Sequence, residues 1–121
     1  MANTFKAINF AAEPNSAGTP YVMYTAAGST TTVVLGLILA NIHTTAVTAE
    51  VELVSTTSSR GGNNDVANGT SMLVKDVTIP SGSSLEILSG SKVILEAGDK
   101  IQIDCSVADK LSGTLSVMEI T

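Results

Sequence analysis

His43, Cys105, the pair Glu50 and Glu52, and the run Asn63-Asn64-Asp65 are the residues here with the types used as bases, nucleophiles, acid–base pairs and cation ligands. His43 has no carboxylate or cysteine close by in sequence and sits at a strand end, where a polar turn residue is ordinary. Cys105 lies between Ile103 and Val107 in an alternating run, on the side expected to face inward. A small thiol packs well there and its thiolate is disfavoured. Glu50 and Glu52 share one face of a strand, and their alternation with apolar residues reads as a solvated edge rather than a paired acid and base. Asn63, Asn64 and Asp65 lack the spacing and the bidentate glutamate of a calcium loop. Asn68-Gly69-Thr70 matches a glycosylation sequon, but with no secretory signal ahead of it the Asn-Gly pair reads as a turn, because it accepts positive φ. There is no glycine-rich phosphate loop and no Cys or His cluster. The sequence therefore predicts a protein that is not an enzyme and needs no metal or cofactor.

The 121 residues are enough for one domain spanning 1–121. A chain of this size buries roughly two-thirds of its unfolded surface. Only 14% of residues are charged against 44% apolar, and much of the rest is Ser, Thr, Gly and Asn. Such a surface is polar through hydroxyls and amides, which suits a protein packed against neighbours. The net charge is −5 with the charges scattered singly, so no basic stripe is present to neutralise phosphates and nucleic acid is not an expected partner. The lone cysteine excludes an intramolecular disulfide, the start Met1-Ala2-Asn3-Thr4-Phe5-Lys6 lacks the pattern of a signal peptide, and the run Val33 to Ala40 is too short for a membrane helix. The expectation is a soluble protein made in a cytoplasm, without a membrane partner.

The elements that must position these residues are strands. Ile79-Pro80-Ser81-Gly82-Ser83-Ser84-Leu85-Glu86-Ile87-Leu88, followed by Leu95-Glu96-Ala97-Gly98-Asp99-Lys100-Ile101-Gln102-Ile103, writes short alternating runs separated by corners that a helix does not tolerate. Eight or nine short strands are predicted: Thr4 to Phe10, Tyr21 to Thr25, Thr30 to Ile42, Val47 to Leu53, Ser71 to Ile79, Leu85 to Leu88, Val93 to Leu95, Lys100 to Val107 and Gly113 to Ile120. In the third, strict alternation places Val33, Leu35, Leu37 and Leu39 on one face and Val34, Gly36, Ile38 and Ala40 on the other. Both faces are apolar, so one should meet the core and the other a second layer or another subunit. The third and fourth strands read as a hairpin, and Ser55 to Thr70 as a long exposed loop. The chain ends inside a strand, which suggests a terminus that is tied down. The expected fold is all-β, an antiparallel β-sandwich of jelly-roll or immunoglobulin-like type.

Tyr24-Thr25-Ala26-Ala27-Gly28-Ser29-Thr30, Leu39-Ala40-Asn41-Ile42, the block Val74 to Glu86, Leu95-Glu96-Ala97-Gly98-Asp99 and Val117-Met118-Glu119-Ile120 together resemble small virion structural proteins of tailed bacteriophages, cyanophages among them. The likeness runs from about Tyr24 to Thr121 and rests on turns and strand ends. It implies a capsid decoration (cement) protein or, as the alternative, a small tail, neck or fibre component such as a receptor- or glycan-binding module. Two Phe, two Tyr and no Trp give few platforms for stacking sugars. The partners implied are the major capsid protein or other virion proteins, with self-association as a trimer or dimer and a place on the virion after synthesis in the bacterial cytoplasm. Residues 1–20 carry less of the likeness and read as an extended arm reaching a neighbour. The loop Arg60, Gly61, Gly62, Asn63, Asn64 and Asp65 is the expected protein-contact site.

Overall fold

Apolar side chains at period two, interrupted by Gly, Pro and Asp, can be hidden by stacking strands face to face in two sheets. A computed structural model, which describes residues 2–55, 69–88 and 92–121, has this arrangement. Its strands are β1 (Asn3–Glu13), β2 (Tyr21–Thr25), β3 (Thr31–Asn41), β4 (Val47–Val54), β5 (Thr70–Ile79), β6 (Ser84–Ile87), β7 (Val93–Leu95), β8 (Lys100–Cys105) and β9 (Leu111–Ile120). Sheet A runs β1-β9-β3-β6, with β7 also on β3, and sheet B runs β2-β8-β4-β5. All pairings are antiparallel. β6 pairs with Leu37 to Ala40 and β7 with Thr32 to Val34, so the two short strands fill one lane beside β3. The chain passes back and forth between two four-lane sheets, which makes the sandwich a jelly roll.

The core lies between the sheets. Val34, Leu37, Leu39, Leu115 and Val117 of sheet A are buried against Val47, Ala49, Val51, Ile101, Ile103 and Cys105 of sheet B. Burial pushes the Cys105 thiol above its ordinary range, as suits a packing residue.

Two local expectations are corrected. Leu35 is an extra residue in β3, because Val34 pairs with Val117 while Gly36 pairs with the adjacent Ser116. This bulge reverses the alternation, so Thr32 and Val34 share the inner face with Leu37, Leu39 and Asn41, while Val33 and Ile38 face outward. The other correction is that β3 and β4 do not form a hairpin: they belong to different sheets, and residues 42–46 cross between them. Residues 3–13 lie along the chain's own sheet, paired with β9.

The turn motifs seen in the sequence meet at two corners. At one, the Ala26 amide donates to the Asp99 carbonyl and the Gly98 amide donates to the Ala26 carbonyl, both at 2.9 Å. Gly98 has φ +88°, and the Asp99 carboxylate accepts from the Glu96 amide at 3.0 Å. At the other, buried Asn41 donates through Nδ2 to the carbonyls of Ile79 (2.8 Å) and Thr45 (3.0 Å) and accepts the His43 amide through Oδ1 at 2.7 Å. The Asn41 amide itself donates to the Ser83 carbonyl, and the Ser81 hydroxyl to the His43 carbonyl.

Candidate contact face

Residues directly opposite one another in a sheet point to the same side, so register decides what each face presents. On the outer side of sheet A, Phe5 stands opposite Met118, Met118 opposite Val33, and Val33 opposite Ile94. These four side chains make an apolar row across β1, β9, β3 and β7. Phe5 is 71% exposed and Ile94 48%. The neighbouring row is made of small residues, Ala7, Ser116 and Gly36, and the next holds Asn9, Thr114, Ile38 and Glu86. Leu35, Gly36, Ile38, Glu86, Thr114 and Ser116 line a shallow depression of about 330 Å³, formed where the bulge and the missing glycine side chain lower the surface. Glu86 is the single charged residue in these three rows, so the face is apolar in one band and nearly uncharged in the rest.

The outer side of sheet B has the opposite character. Glu50 and Glu52 stand on β4, with Asp104 opposite Glu50 and Gln102 opposite Glu52. Glu50 takes an ion pair from Lys75 at 2.8 Å, and Gln102 donates to Glu52 at 3.4 Å. β4 is an interior strand of its sheet, so the two glutamates are partly covered rather than on an edge. Asp104 is buried, and its Oδ1 accepts the amides of Gly18 (3.2 Å) and Cys105 (2.8 Å). No group of His, Cys, Asp or Glu suited to a metal ion occurs among the described residues.

One polar network ties the sheets together. Lys6 of β1 forms an ion pair with Glu119 of β9 at 2.8 Å, and the Tyr24 hydroxyl of β2 donates to the same carboxylate at 2.5 Å while lying 2.9 Å from the Thr32 hydroxyl. The Lys6 ammonium, and after it the Tyr24 hydroxyl, hold the Glu119 carboxyl below the ordinary glutamate range. Burial first, then the bond to Glu119, raises the Tyr24 phenol. The four residues come from β1, β9, β2 and β3, so the contacts tie the two sheets to each other.

The residues singled out in the sequence are dispersed. His43 serves its corner through backbone atoms, and Cys105 is in the core, opposite Ala49 of β4. Arg60, Gly61, Gly62, Asn63, Asn64 and Asp65 lie outside the described residues, as does Asn68. The outer row of sheet A is the feature that sequence reading missed. Its four members are far apart in the chain, and only the doubly apolar β3 hinted at them.

No family model matches the chain, and no curated protein matches it. Solved structures do. A chain from the viral particle of infectious bursal disease virus is 12% identical with a TM-score of 0.51, covering 97% of this chain and 30% of its own length. A chain from the Gx strain of the same virus is 14% identical with a TM-score of 0.50, covering 98% of this chain and 33% of its own. A chain from the disulfide-linked pili of Bacillus endospore appendages is 16% identical with a TM-score of 0.46, covering 99% of this chain and 87% of its own. This chain spans about a third of the virus chains, and at these identities the likeness is one of fold.

Proposed function

We propose that this protein is a structural subunit of a phage virion, and specifically a decoration protein that binds the assembled head and stabilises it. The observation that carries this reading is the uncovered row of Phe5, Met118, Val33 and Ile94 on a nearly uncharged sheet face. An apolar band of this kind, bordered by the small residues Ala7, Ser116 and Gly36, is the composition of a surface meant to be covered by another protein. The likeness of the turn motifs to small phage virion proteins supports the finer assignment, and the jelly-roll fold is compatible with it.

The mechanism is linkage. A protein that binds only the assembled shell stabilises that shell by the free energy of binding, and a site made from several adjacent subunits is incomplete on one. The expected partner is the major capsid protein, with residues 60–65 and the segment 1–20 supplying further contacts. Co-sedimentation of the purified protein with isolated heads and isolated tails tests the assignment. Binding to heads, with weak binding to unassembled capsid protein, is the expected result. Binding to tails alone replaces the decoration reading with a tail, neck or fibre component.

A further inference from the structure

The five-stranded sheet A has one long, regular, open edge, and it is β1. β1 pairs with β9 on one side through eight consecutive residues, Asn3 to Phe10, without a register shift, and no strand among the described residues lies on its other side. The remaining edges are blunted. β2 has five residues and a register shift between Val22 and Tyr24. β5 carries register shifts against β4, a positive φ at Asp76 and the charge of Lys75. β6 and β7 have four and three residues. Bulges, charges and short strands are the usual protections against strand addition; β1 has a register shift and Glu13 at its end, but residues 3–10 lack them apart from Lys6.

That lysine is compensated from within by its ion pair with Glu119 at 2.8 Å. The regular stretch therefore presents a row of free amides and carbonyls with no uncompensated charge.

We infer that two copies of this chain join through their β1 strands, paired antiparallel about a two-fold axis perpendicular to the sheet. This rests on the reading of the protein as an assembly subunit and assigns the surface by which its copies meet. Strand addition takes its affinity from main-chain hydrogen bonds and its partner specificity from side-chain pockets along the edge. The depression on the outer face of sheet A includes no residue of 3–10, so it offers a strand added to β1 no side-chain pocket with which to select a foreign partner. An identical strand meets it over its whole regular length and brings no net charge. The axis keeps both outer faces on one side, so the two apolar rows become parts of one continuous surface with exposed Phe5 at the seam. Every even register except Lys6 opposite Lys6 avoids a like-charge contact.

Sedimentation velocity over a concentration series, with hydrogen exchange read at single amides, tests this. The expected result is a dimer in which alternate amides of residues 3–10, those that point away from β9, become protected as concentration rises. Phe5→Lys, at an exposed position, is expected to weaken the dimer at least tenfold while leaving monomer melting unchanged. Self-association without a change in β1 exchange, or a monomer at every concentration, overturns the inference. Co-sedimentation with heads is scored separately, so loss of the dimer and loss of the subunit reading are distinguishable.

Discussion

Phe10 lies directly opposite Gly113 in the pairing of β1 with β9, and its ring occupies the space above that glycine: a Cβ at 113 would come within 2.5 Å of Phe10 Cε2 and 3.0 Å of a Leu39 methyl. The ring also meets Tyr21 edge to face, with centroids 5.3 Å apart. The glycine thus lets the edge strand β1 place its one buried aromatic residue over the core.

Gly113→Ala should destabilise the protein by about 1–3 kcal/mol, because the ring and Leu39 must both move in a packed interior. Denaturant unfolding measures this. The double variant with Phe10→Leu should lose less than the sum of the single effects, since the two residues share one space.

Asn41→Ala should cost about 1–3 kcal/mol, because it leaves the buried Ile79 carbonyl without its donor and opens the corner between β3 and β4. Asn41→Asp should be worse than Asn41→Ala, as it turns a carboxylate oxygen toward the carbonyls of Ile79 and Thr45. Thermal melts of the two variants check the order.

Glu119 predicts the acid limb of stability. Its carboxyl is held low in the folded state by Lys6 and then by Tyr24. A depressed folded value gives stability that is present above the unfolded value and is lost as pH falls through the folded one. The wild type should therefore lose stability from about pH 5 downward, and Glu119→Gln should show a shallower acid slope with lower stability at neutral pH. Equal slopes would remove Glu119 from this account.

Much of the fold could be read from the residues because period-two alternation and Gly, Pro and Asp corners are local signals. All nine strands have a counterpart in the sequence reading, with ends differing by a few residues at most. The parity of β3 could not be read, since the bulge at Leu35 exists only through its pairing with Val117 and Ser116 of β9. The crossing at Asn41 was also hidden. Asn41-Ile42-His43-Thr44-Thr45 has the look of a hairpin turn, and the change of sheet shows only in the strand pairings and in the bond from Asn41 to Ile79. The outer row was out of reach for the same reason, because Phe5, Val33, Ile94 and Met118 become neighbours only through three strand pairings.

The central claim is that the protein stabilises an assembled shell through the outer face of sheet A. Release of DNA from phage heads on heating, with wild-type protein and with the variant Ile38→Glu, Ile94→Glu, tests it most directly. Both substituted residues are about half exposed, so the variant should fold and melt like the wild type. The account predicts that wild-type protein raises the release temperature and the variant does not. An unchanged release temperature with wild-type protein, or an equal rise with the variant, contradicts it.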